Sequence, residues 1–370
     1  MLTILNQLVY FGFFQSLFLL VIYLFSSKKR TKINGFMAFL IAILFIGLLG
    51  KVVHNTEVFG KNFRLIALSE FSALLFGPTI YLFTSSVLEK KYYTFKRLVH
   101  YIPGFMYSVF ILIYFIIPSD AIIIERSKTG ELMRVIYMCH AVGLIVNLTY
   151  WFLSWSIFKN FSKKMKNEIS YEIQNQFLFR FLIIIGCCLF IWSVLYITSL
   201  LGIDMIERKA RPYIWIVLTL IILFITYYSM ISPQVLQIIP EELENKKYNK
   251  SKLSYQDLNT LKHELELIMI EKKPYLNSKL LKSELAQLLG VNNPELARLL
   301  NENIGMNFFE YVNYYRIKEF VTLAQTEKAK QFTFFGLAQE SGFHSKTTFN
   351  KSFKKLMGSS PSEYFNKNLQ

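Results

Sequence analysis

The sequence predicts an all-α protein: a seven-helix transmembrane bundle followed by a cytoplasmic domain with two helix-turn-helix units in tandem. Hydrophobic residues make up 53% of the 370 positions and charged residues only 18%. The mean hydropathy is +0.34, which is too apolar for an ordinary soluble protein. Apolar runs fill the first 231 positions, and amphipathic helical patterns follow from about residue 255. The predicted parts are a transmembrane domain (1–231), a linker (232–254), a connecting helix (255–273) and a C-terminal domain with the two helix-turn-helix units (274–370).

Seven apolar runs in the first part have roughly the length of a membrane-crossing helix, which needs about 20 residues. The first run has no Lys or Arg ahead of it, whereas a secretory signal carries its positive charge first. We therefore expect it to be retained as a span. The predicted spans are 4–25, 33–50, 65–88, 98–117, 135–158, 178–201 and 213–231.

The basic residues between these runs predict the orientation of the spans across the membrane. With the N-terminus outside, the cytoplasmic loops hold 13 basic and three acidic residues, and the opposite loops hold nine and six. Cytoplasmic loops carry an excess of Lys and Arg, so we expect the C-terminal domain to lie in the cytoplasm. Of the 41 basic and 25 acidic residues, 22 and 10 lie in positions 1–240. Most of the net charge of +16 therefore lies in the apolar part of the chain, where it bears on topology.

Two ionisable residues inside apolar runs, Glu70 and His140, form a candidate membrane signal site, because burying an ionisable group in lipid is costly. The alternative is that both face the bundle interior and are satisfied by a neighbouring helix. Gly77-Pro78 predicts a kink in the third span, since proline removes one helix hydrogen bond.

The sequence contains no pattern typical of catalysis. Its three cysteines, Cys139, Cys187 and Cys188, lie in apolar runs, with neither a disulfide framework nor metal-ligand spacing. Neither a phosphate-binding glycine loop nor a nucleophile motif is present. We therefore expect a protein that is not an enzyme and has no metal and no cofactor.

Two stretches share one design, a helix, a glycine turn and a second helix. They are SELAQLLGVNNPELARLLNEN at 283–303, which turns at Gly290, and FFGLAQESGFHSKTTFNKSFKKLM at 334–357. The major groove of B-DNA admits one α-helix, so a reading helix must bury one face and leave the other polar. The predicted buried residues are Leu296, Leu299 and Leu300 in the first unit and Phe349, Phe353 and Leu356 in the second.

The polar faces of the two second helices supply the candidate DNA contacts. Base contacts set sequence preference, and phosphate contacts set position. The candidates for base reading are Asn293, Arg298, Lys346, Thr347 and Asn350. The candidates for phosphate contact are Ser345, Lys351, Lys354 and Lys355, with Ser345 also an N-cap. The alternative for any one of them is a solvated surface residue.

The helix at 255–272 has one apolar face, formed by Leu258, Leu261, Leu265 and Ile268. This face could pack on the helix's own domain or form a short coiled coil in a homodimer. We favour the first, because two heptads are few.

Residues 275–367 resemble the DNA-binding domain of AraC/XylS-type transcription regulators. The resemblance is carried by ELAQLLGV, by NPELARLLNENIGMNFFEYVNYYRIK and by GLAQESGFHSKTTFNKSFKKLMGSSPSEY, with its Gly-Phe turn, Phe-x-x-x-Phe spacing and closing Pro-Ser-Glu-Tyr. It implies a monomer whose two reading helices enter successive major-groove segments of one DNA face. The helix at 311–324 would set their separation, with Arg316 structural or directed to phosphate.

The fusion of such a domain to a multi-span half resembles bacterial membrane-bound AraC-type regulators. We therefore expect a regulator in the bacterial inner membrane that binds double-stranded DNA and responds to a small-molecule or envelope signal. RNA polymerase is a further expected partner. Two alternatives are a factor released by proteolysis in the linker, and a transporter or membrane enzyme whose DNA-binding domain controls its own gene.

Overall fold

The computed structural model describes residues 2–25, 32–56, 63–89, 94–171, 176–203, 211–231 and 255–368. Within these ranges the chain is helical and contains no strand, so the all-α prediction is confirmed. The chain forms two compact units. The N-terminal unit comprises Met1–Lys159 and Gln174–Ile239, and the C-terminal unit comprises Asn160–Ile173 and Pro240–Gln370. The grouping of Asn160–Ile173 with the C-terminal residues had no signal in the sequence.

The N-terminal unit is a set of apolar helices with a few tighter or wider turns. A 3₁₀ segment precedes the third helix (Phe63–Ser72) and another precedes the fourth (Phe95–Tyr101), and a π-helical turn (Leu112–Ile116) follows the fourth. The α-helices are α1 (Leu2–Phe25), α2 (Lys32–Thr56), α3 (Ala73–Glu89), α4 (Ile102–Ile111), α5 (Asp120–Lys128), α6 (Glu131–Lys166), α7 (Gln176–Leu200) and α8 (Arg211–Ile231). Pro78 lies inside α3, and the change from 3₁₀ to α-helix lies five residues earlier, between Ser72 and Ala73. The kink at Gly77-Pro78 stays a prediction.

Among the described residues, six helical stretches are long and apolar enough to cross a membrane. They are Asn6–Phe25, Gly35–Thr56, Ile66–Glu89, Lys96–Ile116, Glu131–Lys166 and Phe177–Leu200. The apolar part of α8, Tyr213–Tyr228, is shorter, so the seventh span stays a prediction. With 36 residues, α6 is about 54 Å long at about 1.5 Å per residue. That exceeds the hydrocarbon layer of about 30 Å, and α6 is longer than the predicted span at 135–158.

The C-terminal unit contains two helix pairs joined by a long helix. Its helices are α9 (Tyr255–Glu271), α10 (Lys282–Leu288), α11 (Asn293–Arg298), α12 (Phe308–Ala324), α13 (Phe334–Glu340), α14 (Lys346–Met357) and α15 (Pro361–Asn368). The first pair is α10 with α11, which a π-helical turn extends (Leu299–Ile304), and the second pair is α13 with α14.

Two apolar cores lie in this unit, and α12 contributes to both. Its first half buries Phe308 and Val312 in the core of the first pair. Its second half buries Ile317 and Phe320 in the core of the second pair. The Phe320 ring lies 4.6 Å from that of Phe349 on α14. The helix therefore fixes the second pair to the first.

The apolar face of α9 packs on its own domain. Leu258, Leu265 and Met269 are fully buried in the core of the first pair, and Leu261 and Ile268 are partly buried against it. This is the favoured of the two alternatives for the 255–272 helix. The same face cannot also form the seam of a homodimer, because a side chain buried in one core is not available to another.

Candidate nucleic-acid interface

In the first pair, α10 packs under α11 through a leucine core. Leu296, Leu299 and Leu300 are all buried, so the predicted inner face is confirmed. Gly290 turns the chain with φ +74°, a conformation that favours glycine. Asn292 and Glu295 form a reciprocal capping box at the start of α11, which satisfies two of its free amide groups.

The outer face of the first pair is smaller than the sequence predicts. Arg298 is partly exposed, and its Nε donates to Glu302 Oε2 at 2.8 Å on the same face. Asn293 is only 8% exposed, so little of its side chain is accessible at the surface, and its role in base reading stays a prediction. Asn293 is the first residue of α11, and helical spacing alone does not show what covers a helix end.

In the second pair, α13 supports α14 through aromatic residues. Phe349 and Phe353 are buried as predicted, whereas Leu356 is 41% exposed, which corrects its assignment to the inner face. Leu356 is the next-to-last residue of α14, which ends at Met357. Ser345 caps the helix by accepting from Thr348 N at 3.1 Å, so its prediction as an N-cap is confirmed.

The exposed side of α14 carries a row of polar and cationic side chains. Positions 346, 347, 350, 351 and 354 share one helical face. Lys346, Thr347, Asn350, Lys351 and Lys354 are all exposed, and Ser345 is half-buried beside them. The structure therefore brings the base-reading candidates of the second pair and most of its phosphate candidates together on one side, with Arg298 as the remaining candidate on α11.

Lys355, also on α14, donates from its Nζ to Glu310 Oε1 at the start of α12. Burial acts to raise the pKa of Glu310, but the Lys355 hydrogen bond, the backbone bond at Asn307 and the charges of Lys355 and Lys166 outweigh it and lower that pKa. The carboxylate is therefore ionised at neutral pH. Lys355 was predicted to contact phosphate, and in this structure it ties α14 to α12.

Arg316 on α12 is buried, unlike Arg298 on α11 and the exposed candidates on α14. It is 1% exposed, and burial lowers its pKa to about 9. Of the two roles that the sequence left open, structural or phosphate-directed, burial favours the structural one.

Sequence reasoning missed two residues that contact this region, Glu168 and Ser170. Lys282 Nζ donates to Glu168 Oε1 across 114 positions, and Arg316 Nη1 donates to Ser170 O across 146. Their only sequence signal was a charged loop between two apolar runs. No local pattern could have paired them with α10 and α12.

The two intramembrane candidates lie together in the N-terminal unit. Glu70 and His140 line one cavity of about 270 Å³, with Tyr107, Asn147, Trp192 and Trp215. Tyr107 Oη donates to Glu70 Oε2 at 3.2 Å, and the His140 ring lies 5.6 Å from that of Trp192. Glu70 therefore accepts a hydrogen bond from α4 and also lines the cavity. Among the described residues no cluster of His, Cys, Asp or Glu could hold a metal ion.

Comparison with known families agrees with this geometry. Residues 285–367 match a family model described as a helix-turn-helix domain, of the AraC type. No curated protein and no solved structure matches the chain significantly. The match begins inside α10 and covers α11, α12 and the second helix pair. It supports a DNA-binding transcription regulator. Residues 285–367 are therefore an AraC-type helix-turn-helix domain, placed after several long apolar helices.

Proposed function

We propose that this chain is a membrane-anchored bacterial transcription regulator that binds specific double-stranded DNA sites through both helix pairs. The observation that carries the proposal is the exposed polar row on α14 and Arg298 on α11. The described part of the same chain contains six helices of membrane-crossing length. Arg298, Lys346, Thr347 and Asn350 would read bases, and Ser345, Lys351 and Lys354 would contact phosphates. DNA is reached from the cytoplasm only, which agrees with the topology expected from loop charge.

Support for the membrane assignment comes from apolar side chains on the outside of the N-terminal helices. Phe14 on α1, Met138 on α6 and Phe190 on α7 each leave more than 60% of their surface exposed. Exposed apolar surface costs about 25 cal/mol per Å² in water, and soluble proteins rarely expose large apolar patches. A bilayer removes that cost.

The cavity at Glu70 and His140 is the proposed signal site. Its volume of about 270 Å³ fits a small molecule, and Trp192 and Trp215 would pack against an apolar body. Glu70 offers a carboxylate, and the side-chain oxygen Oδ1 of Asn147 has no hydrogen-bond partner among the residues that the structure describes. Both are acceptors, so the ligand class is a small apolar molecule with a hydrogen-bond donor or a positive charge.

The test is recovery of crosslinked DNA with full-length tagged protein from the membrane fraction. Discrete genomic sites are expected, and they should be lost in an Arg298→Ala, Lys346→Ala double variant. A Lys328→Ala variant is the matched control, because Lys328 is an exposed cation outside both reading helices. Recovery only from a shortened soluble species would favour proteolytic release, and membrane protein with no sites at all would overturn the proposal in favour of a transporter or membrane enzyme.

A further inference from the structure

Residues 168–170, here called the strap, follow α6 in the chain and belong to the C-terminal unit. They pair with the chain just before α10. Ser170 N donates to Leu280 O at 3.2 Å, and Lys282 N donates to Glu168 O at 3.0 Å. Ile169 and Leu281 form an antiparallel bridge. The strap therefore satisfies backbone groups at the start of the first helix pair.

A buried ion pair reinforces this backbone pairing. Glu168 Oε1 lies 2.6 Å from Lys282 Nζ, and the two side chains are only 12% and 5% exposed. Removing one partner of a buried pair leaves an uncompensated charge, which is strongly destabilising. Lys282 is the first residue of α10. The pair thus ties the strap to the support helix of the first pair.

Arg316 connects the strap to the centre of the domain. Its Nη1 donates to Ser170 O at 2.7 Å and its Nη2 to Ser170 Oγ at 3.0 Å. The remaining bonds go to Tyr275 O, Asn277 O and Asn313 Oδ1. Without the strap, a buried guanidinium would lose two of these five bonds, and unsatisfied buried donors are costly, more so when charged.

The same cluster reaches the second helix pair. Arg316 lies 5.9 Å from the ring of Phe343, in the turn between α13 and α14. A Cβ placed on Gly342 of that turn would collide with Tyr275 O and lie 3.1 Å from Arg316 Nε. The strap, the 274–277 turn and the turn of the second helix pair therefore meet around the buried side chain of Arg316. The strap connects this cluster to the first helix pair through the Glu168–Lys282 pair.

We propose that the strap is a structural part of the DNA-binding domain, and that movement of α6 reaches both helix pairs through the strap and Arg316. The interaction surface is formed by residues 280–282 and by Arg316 of α12, and its occupant is the strap of the same chain. The signalling part of this inference rests on the function proposed above. A cut in the 232–254 linker would leave these contacts in place, so proteolytic release would also require the strap to detach.

The test is a charge-reversal cycle in the full-length protein in lipid nanodiscs, with Glu168→Lys, Lys282→Glu and the double variant. Hydrogen exchange of peptides covering 168–171 and 280–283 reports on the strap, and affinity for a recovered genomic site reports on DNA binding. In the wild type both peptides should exchange slowly. Each single reversal should speed exchange and weaken DNA binding on the order of tenfold or more, and the double reversal should recover most of both.

The matched control is Lys328→Glu, because Lys328 and Glu340 form an ion pair of the same 2.6 Å length in the same unit, but more exposed. It should change neither readout, since exposed pairs contribute little. Ser170→Ala tests the strap more mildly by removing one bond to Arg316. Fast exchange of 168–171 in the wild type, or single reversals that leave affinity unchanged, would overturn the proposal. If the wild type bound no DNA while 168–171 still exchanged slowly, the proposed function would fail and the strap would stand.

Discussion

Arg298 and Arg316 lie on neighbouring helices of the same unit, and their surroundings give them different roles. Arg316 has five hydrogen bonds to backbone and side-chain oxygens. Even with its pKa lowered to about 9 by burial, the guanidinium is mostly protonated at neutral pH. Arg298 keeps part of its surface in solvent beside Glu302. Of these two arginines, only Arg298 has side-chain surface in solvent.

Alanine variants of the exposed residues on the two reading helices should affect DNA affinity in two different ways, according to whether the residue contacts a base or a phosphate. Arg298→Ala and Lys346→Ala should weaken binding to a specific site by about 1–3 kcal/mol and leave non-specific binding largely intact. Lys354→Ala should lower affinity for all sequences and reduce the slope of log affinity against log salt, because a phosphate contact releases counterions. Binding measured at several salt concentrations, on specific and random duplexes, checks both. Identical behaviour of the three variants would contradict the division into base and phosphate contacts.

At the scale of single elements, the turn glycines Gly290 and Gly342 both have a positive φ angle, but their surroundings differ. Gly290 has φ +74°, and a side-chain carbon added there would have no atom within 4 Å. Gly342 has φ +95°, and an added carbon would collide with Tyr275 O. The turn of the first pair is therefore open, and the turn of the second pair is packed against the Arg316 cluster.

Gly290→Ala should destabilise the C-terminal unit by about 1–2 kcal/mol, the cost of a left-handed conformation in a residue with a side chain. Gly342→Ala should cost clearly more, because the new methyl group must also displace backbone atoms of the 274–277 turn. Protease resistance of the C-terminal unit across a urea series measures both losses in the full-length protein. Equal losses would show that the packing around Gly342 does not contribute.

At the scale of the whole molecule, the proposed signal cavity should act on DNA binding without affecting membrane insertion. Glu70→Gln keeps the shape of the side chain and replaces its carboxyl group with an amide, so it should change the output of a recovered target promoter. Glu125→Gln is the control, since Glu125 is exposed on α5 and lies outside the cavity. The measurements are reporter output and the amount of protein in the membrane. Unchanged output with Glu70→Gln would leave Glu70 as a residue satisfied by Tyr107 alone.

The sequence by itself predicted the features that depend on local spacing. Apolar runs and a 3.6-residue period depend on neighbours a few positions apart, so the all-α class, the leucine and phenylalanine faces, and the Ser345 cap were all readable. The same is true of the helix-turn-helix pattern that the family match covers.

Only the tertiary structure decided which of these residues are accessible and what they contact. Asn293 is buried, Leu356 is partly exposed, and Lys355 is bonded to Glu310, because neighbouring elements cover or expose the ends of α11 and α14. Glu70 and His140 share one cavity although they are far apart in the chain. The strap reaches Lys282 and Arg316 over more than a hundred positions. Such contacts depend on how distant segments pack, and a helical period carries no information about that packing.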